Sequence, residues 1–336
     1  MRLQLFNRDG ILINDLNKAT NIQETLLINE ISKLSFTMPI NDAKTKDIET
    51  NNIVRLGELG ERYVIKQINK SKGERGTIQI RALGISSNLQ KTLLFGGINI
   101  PSTQQSVPQV ITRLLDEHFA RQGERWILGK CDFEDNYGGR FINETILSSL
   151  IRIGNQLEES YYYKFDTSTE PYVVNLLRID LESIPSVWLE KRTNKVNATE
   201  AEDISDIFTR LYILSDDDEI DVRPINNGKN YIEATAEIIE RYGLIERYYK
   251  NVGADNANLL LGQAKGILRR NSVPFEEYSA DMIPTNLNIP TIGAVTNIVG
   301  VKQTYITGIS WSHGEISKAS LLLANRPRTL ANHIQR

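Results

Sequence analysis

The sequence predicts a β-rich α+β fold, with strand-dense segments at its two ends and a mixed helical and stranded middle. Three observations carry this. Short runs of β-branched and aromatic residues separated by polar turns fill residues 1–95. Apolar residues at helical spacing appear after Gly96-Gly97. Alternating runs return towards the C-terminus, from Thr304 to Leu323.

The elements follow in order. Leu3–Phe6 and Ile11–Ile13 flank the Gly-closed polar turn Asn7-Arg8-Asp9-Gly10, a hairpin signal. Ile31–Met38 alternates and stops at Pro39. Tyr63–Ile68 and Thr77–Arg81 form a second hairpin around the polar connection Lys70–Gly76, with Ile78, Ile80 and Ala82 on one face and Thr77, Gln79 and Arg81 on the other. About five strands in this span suggest a small barrel or sandwich. Ser106 and Pro108 open a helix carrying Val110, Ile111, Leu114, Leu115, His118 and Phe119. Asn143 and Glu144 open another, through Ile146, Leu147, Leu150 and Ile151, closing near Gly154. Tyr161–Phe165 and Tyr172–Leu176 read as strands, so 96–190 is an α+β insertion between β units. Arg210–Leu214 and Tyr231–Ala234 are strands, a short helical run leads into Tyr242-Gly243, and Asp255 caps a helix that ends before Pro274. Val301–Ile306, Ile309–Trp311 and Ser320–Leu323 are the closing strands.

Composition narrows the function. In 336 residues there are 39 Lys+Arg and 42 Asp+Glu, a net charge of −3, so global charge does not drive the chain onto nucleic acid or anionic lipid. A single cysteine, Cys131, excludes an intrachain disulfide framework and a Cys-based zinc cluster. No apolar run approaches the ~20 residues of a membrane span.

Candidate chemistry is sparse. The acidic turn Asp216-Asp217-Asp218-Glu219 with Asp221 lacks the alternation and the bend glycine of a calcium loop and reads as a solvated hairpin tip. His118 sits on an apolar helix face, His313 in the turn Trp311-Ser312-His313-Gly314, and His333 near the terminus. The pairs Glu134-Asp135, Glu158-Glu159 and Glu276-Glu277 could serve a glycoside hydrolase only if folding brought acids from separate elements to ~5–10 Å. Tyr161-Tyr162-Tyr163 could stack sugars, but strand geometry turns Tyr162 away from its neighbours. The tail from Asn325 to Arg336 is basic, either loose or docking on a partner. No catalytic, cofactor-binding or metal residue is assigned, and no cofactor is expected.

Read along its length, the chain resembles the hub proteins of tailed-phage tails and baseplates, and more narrowly the N-terminal hub region of the tail-associated lysin, or prophage endopeptidase tail, family. The resemblance is carried by Leu3–Gly10, Lys33–Pro39, Asn51–Arg55, Tyr63–Ile65, Ile78–Ala82, Thr209–Tyr212, Tyr242-Gly243, the helix up to Val273-Pro274 and Leu321–Asn325. The turn after Tyr212 departs from the family's Gly-containing form.

The resemblance implies two small β-barrel-like tube domains with an inserted α+β domain and a further peripheral helical segment. Residues 1–95 would be the first tube domain, completed by part of 190–230. Residues 96–190 would be the inserted domain, and 191–336 the second tube domain with a helical insertion around 254–283. It implies a homotrimeric, non-enzymatic virion protein of phage or prophage, made in the host cytoplasm. Such a ring continues or closes the tail tube, binds the distal tail protein and the tape-measure protein, and permits DNA passage without sequence recognition. A separate spike, lysin or receptor-binding protein would be a further partner. In longer relatives lytic or receptor-binding activity sits on a C-terminal extension. This chain ends at Arg336, shortly after the last matched strand, so no such module and no peptidase activity are expected. Two alternatives stay open: a carboxylate-based cell-wall hydrolase at the tail tip, and a carbohydrate-binding receptor module.

Overall fold

In the computed structural model the described residues are 2–57, 60–71, 76–101, 105–189, 195–215, 220–251, 256–284, 289–298, 303–313 and 318–326. The first 84 residues supply seven strands: β1 (Leu3–Phe6), β2 (Leu12–Asp15), β3 (Thr20–Leu27), β4 (Lys33–Pro39), β5 (Ile53–Leu56), β6 (Arg62–Lys70) and β7 (Thr77–Gly84). They pair antiparallel in the order β3-β4-β7-β6-β5-β1-β2. The β1–β2 hairpin is closed by Asn7, whose Oδ1 accepts the amides of Asp9 (3.0 Å) and Ile11 (2.9 Å), with Gly10 at φ +79. Leu34, Phe36 and Met38 of β4 and Ile78, Ile80 and Ala82 of β7 face one core with Leu5, Val54, Tyr63 and Ile65. Strand β3 escaped the sequence reading because its alternation is interrupted by a bulge between Thr20 and Gln23 and because Glu24 occupies an inward position.

The middle of the chain comprises β8 (Ile98–Ile100), α1 (Val107–Gln122), β9 (Trp126–Cys131), β10 (Gly139–Phe141), α2 (Ile146–Asn155), β11 (Tyr161–Asp166) and β12 (Tyr172–Arg178). Ser106 and Gln109 form a capping box at the start of α1, and Gly123 ends it in the left-handed region at φ +71. The cap of α2 is Thr145, whose Oγ1 accepts the Ser148 amide at 3.2 Å, one residue beyond the expected Asn143-Glu144 start. Both helices pack on the sheet β11-β12-β9, burying Ile111, Leu114, Leu150 and Ile153 against Trp126, Tyr161 and Val174.

The remainder gives β13 (Val187–Leu189), β14 (Lys195–Asp203), β15 (Arg210–Ser215), β16 (Tyr231–Glu233), α3 (Ala236–Tyr242), β17 (Glu246–Asn251), α4 (Ala257–Asn271), β18 (Phe275–Met282), β19 (Val295–Ile298), β20 (Thr304–His313) and β21 (Lys318–Ala324). Strands β16-β15-β17 form a small sheet backed by α4. The cap of α4 is Asn256, whose Oδ1 accepts the amides of Asn258 and Leu259; Asp255 lies outside the described residues. The two closing strands expected before and after Thr307 are a single strand, β20, because the extra residue at Thr307 is absorbed as a bulge rather than a break. Val301 and Lys302, assigned to the first of them, lie outside the described residues.

Strand β20 pairs with β21 on one side and with β3 on the other, so strands from both ends of the chain form one antiparallel run, β14-β18-β21-β20-β3-β4-β7-β6-β5-β1-β2. Among the described residues no helix is long and apolar enough to cross a membrane.

The small sheet is fastened to the middle segment through α4. Buried Arg270 donates to the carbonyls of Asn155 (2.8 Å) and Leu157 (2.6 Å) beyond the end of α2, and Arg326 donates to the carbonyl of Arg270 and to Asn271 Oδ1 (2.8 Å). Gly266 lets α4 approach this loop: a Cβ there would lie 2.7 Å from Glu158 Cα and 2.9 Å from its carbonyl oxygen. Gly262, one turn earlier, has open space. Accordingly Gly266→Ala should cost about 1–3 kcal/mol through backbone overpacking, whereas Gly262→Ala should gain roughly 0.5–1 kcal/mol of helix propensity. Chemical denaturation of the two variants checks this; equal effects would contradict the packing described.

Candidate functional site: a polar sheet face

The register across the β3–β20 seam defines two faces. On the inner side Ile309 faces Leu26 and Leu321, and Trp311 faces Glu24 and Ala319. On the outer side side chains align in rows that cross many strands. One row runs Lys318, Ser312, Gln23, Ser35, Arg81 and Gln67, from β21 to β6. The next runs Asp281, Ser320, Ser310, Thr25 and Lys33, from β18 to β4. At the β14 end Thr199 and Ser279 hydroxyls lie 2.6 Å apart, and Ser320 donates to Asp281 at 2.5 Å. This face is therefore hydroxyl- and amide-rich, with Lys33, Arg81 and Lys318 set against Glu277 and Asp281, and with Leu322 and Leu27 flanking Gly308 in the row that follows.

Behind it the seam buries a polar cluster. Tyr63 donates its phenol proton to Glu24 Oε1. His313 Nε2 lies 3.5 Å from Glu24 Oε2, an ion pair when the imidazole is protonated, and Trp311 stacks on the His313 ring at 5.9 Å. His313, expected in a turn between strands, is instead the last residue of β20, with its side chain 6% exposed; the strand continues through Trp311 and Ser312, and Gly314 lies outside the described residues. Nearby Glu61 accepts the hydroxyl and the amide of Thr167, joining the first β unit to the loop after β11. Burial pushes the Glu61 carboxyl up to about 6; the two Thr167 hydrogen bonds oppose this, and Asp166 and Glu24 add to it.

The other expected residues fall apart as a site. His118 is fully buried, its Nδ1 2.9 Å from Thr92 Oγ1 and its Nε2 3.7 Å from Glu124, which also accepts from Asn88 (2.6 Å) and Trp126 (2.7 Å). Burial raises the Glu124 carboxyl, but the bonds from His118, Trp126 and Asn88 outweigh it and hold the group below its usual range. The acid–imidazole–hydroxyl line resembles a nucleophile relay, yet Thr92 is only 1% exposed, so it ties α1 to the preceding loop. Burial pushes the Cys131 thiol up, away from thiolate chemistry. Glu159 pairs with Arg178 at 2.7 Å, and Glu276 and Glu277 lie on opposite faces of β18. Tyr161 and Tyr163 are buried, and Tyr162, half-buried on the other face, packs with Ile28 and Tyr305. The acidic turn Asp216–Glu219 and the tail from Pro327, with His333, lie outside the described residues. No group of three or more metal-ligating side chains occurs among the described residues. The polar face was missed because it is made by register between distant strands; its only sequence signal was Ser and Thr at alternate positions, as at Ser310 and Ser312.

Comparison with known proteins points the same way as the resemblance. Residues 3–84 match the family model of the prophage endopeptidase tail N-terminal domain. Among curated proteins none matches the chain. Among solved structures, the prophage tail protein gp18 from Listeria monocytogenes EGD-e is similar at 14% identity and TM-score 0.65, covering 100% of this chain and 98% of that one. The tail protein from Neisseria meningitidis MC58 is similar at 13% identity and TM-score 0.68, covering 96% of each chain. The E. coli c3393 protein is similar at 12% identity and TM-score 0.54, covering 93% of this chain and 74% of that one. It is described as a component of the type VI secretion system with structural similarity to the T4 bacteriophage tail proteins gp27 and gp5. At such identities the likeness is one of fold: a β-rich α+β fold shared with phage tail proteins.

The Glu61–Thr167 junction yields a pH prediction. A carboxyl whose folded value is raised contributes fully below its ordinary 4.5 and loses that contribution as pH rises through about 6. Glu61→Gln keeps an acceptor for Thr167 without the charge. The variant should match the parent below pH 4.5 and exceed it by about 1–2 kcal/mol above pH 6. Melting curves from pH 4 to 8 measure this; a variant less stable at high pH would show that the ionised form is the favoured one.

Proposed function

We propose that this chain is a structural subunit of a phage tail tip: a hub whose copies, three to a ring, continue or close the tail tube. Residues 1–95 and 191–336 act as tube units and 96–190 lies outside them. The observation that carries the reading is the polar outer face of the β14-to-β6 run; in the proposed ring this face lines the channel. DNA passing such a lining must not be held. Sticky passage would need an array of cations able to replace phosphate counterions, whereas this face offers serine, threonine and glutamine, the two leucines beside Gly308 and a few charges of both signs. The same chemistry suits a wetted surface and is poorly suited to an apolar protein contact.

Ring closure falls to edges that find no partner within one sheet. Strands β2 and β14 end the run, and next to β2 the residues Ile11 and Leu12 are 65% and 49% exposed. Exposed strand edges are ready surfaces for a neighbouring copy. In this role the partners are further copies, the distal tail protein and the end of the tape-measure protein, the protein resides in the virion, and no catalytic step is required of it.

Mass photometry of the chain and cryo-electron microscopy of tails test the reading: the expected species is three copies of 38.1 kDa, at the tail tip. A monomer absent from virions overturns it. A finer test places arginine on the lining. Ser310→Arg with Ser312→Arg and Ser320→Arg should leave tail assembly intact while slowing DNA ejection several-fold, with added salt restoring part of the rate. Unaltered ejection from particles carrying all three would remove this face from the channel.

A further inference from the structure

The small sheet has one face against α4 and one face open. Leu211, Ile213 and Ile232 join the α4 core, and strand alternation turns Arg210, Tyr212 and Leu214 to the opposite side. Tyr212 is directly opposite Tyr231 on β16 and Tyr248 on β17. The three tyrosines thus form one row across three strands, with Tyr212 and Tyr231 ring centroids 5.5 Å apart and Tyr248 71% exposed. One step along the strands, Arg210 lies between Glu233 (2.6 Å) and Glu246 (2.9 Å), its guanidinium 4.4 Å above the Tyr231 ring. Tyr212 donates to Glu246 at 3.1 Å.

We propose that this row is a binding platform for a neutral oligosaccharide, an assignment independent of the ring reading above. Sugar rings present C–H faces that pack on aromatic rings, and their hydroxyls need donors and acceptors at the margin of the stack. Rings on adjacent strands recur at ~4.8 Å; the Tyr212 and Tyr231 planes are inclined 57° to one another and one Tyr231 face is covered by Arg210, so the row offers a stepped track whose most open ring is Tyr248. Glu233 and Glu246 supply carboxylate acceptors beside it, and the Arg210 bridge fixes Tyr212 and Tyr231 before any ligand arrives, limiting the ordering cost. Single-stranded nucleic acid also stacks on aromatic rows but needs cations along its backbone. Here Arg210 is engaged by two carboxylates, and Lys229, 5.2 Å from the Tyr231 ring, is paired with Glu233 at 3.7 Å; Lys250, opposite Leu214 on the same face, is the cation that the oligothymidylate arm of the test addresses. The tyrosine run conspicuous in the sequence, Tyr161 to Tyr163, is packed away; the usable row comes from three separate segments.

The test is calorimetric titration of the full chain with chitotetraose, cellotetraose and maltotetraose, and with a single-stranded oligothymidylate. The expected result is saturable binding of at least one tetrasaccharide, insensitive to salt, weakened about tenfold or more by Tyr248→Ala (~1.4 kcal/mol) and retained by Tyr248→Trp. Because Tyr248 is exposed, the variants should keep the parent circular dichroism spectrum and melting temperature, which separates lost binding from lost fold. Three outcomes overturn the proposal: no tetrasaccharide binds at millimolar concentration, Tyr248→Ala leaves the affinity unchanged, or only the oligothymidylate binds and salt displaces it.

Discussion

Strand β3 has one edge occupied by β4 and the other by β20, so the N-terminal and C-terminal strands share one hydrogen-bonded sheet. Bringing such distant segments together costs loop-closure entropy that grows only slowly with the intervening length, but the contact must then be specified by its own residues. Bulged Gly308 is one device: a Cβ there would lie 2.8 Å from Leu27 and 3.1 Å from Leu322, so a larger residue would push the neighbouring strands apart. The buried cluster of Tyr63, Glu24 and His313 is another. It places a carboxyl group in the core where only the correct register supplies a phenol and an imidazole, and a one-residue slip of β3 would turn Glu24 to the outer face and leave the buried Tyr63 phenol without its acceptor.

That same register decides what the outer surface is. Each inward apolar residue in β20, β21 and β4 forces its neighbour outward, and most of those neighbours are Ser, Thr and Lys, with Gly308 and the exposed Leu322 as the exceptions in β20 and β21. The wet face and the core are one alternation read from two sides. Apart from Leu27 and Leu322 beside Gly308, this surface lacks the aromatic and apolar groups that concentrate at contacts between proteins, and its charges are of both signs.

Much of the fold was legible in the sequence wherever local chemistry and tertiary role agreed. Asn7 to Gly10 makes its turn from its own side chains, β4 and β7 alternate cleanly, and Ser106 with Gln109 and Pro108 announces α1. Strands β3, β14 and β18 were not legible, because Glu24, Glu200 and Glu276 sit where a pattern reader expects apolar residues, and their partners come from other strands: Tyr63 for Glu24, and Tyr278 for Glu200 at 3.2 Å. His313 misled for a related reason, since a histidine and a glycine after a strand look like a turn until Glu24 is placed beside them. The polar face and the tyrosine row were invisible for the most basic reason: their members are ordinary residues whose meaning lies in the row, and rows exist only after strands are registered.

The joint between α4 and the middle segment has an unusual chemical make-up. Arg270 and Arg326 donate to peptide carbonyls and one amide oxygen, with no carboxylate among the bonds described above. Guanidinium groups do not deprotonate in proteins and carbonyls do not ionise, so these hydrogen bonds themselves do not titrate, although Asp203 and Asp206 act on Arg326 electrostatically, and burial shields them from dissolved salt. The Glu61–Thr167 junction responds to acidity; these bonds do not. A rise in pH that loosens the Glu61–Thr167 junction would therefore leave the bonds between the small sheet and the middle segment in place.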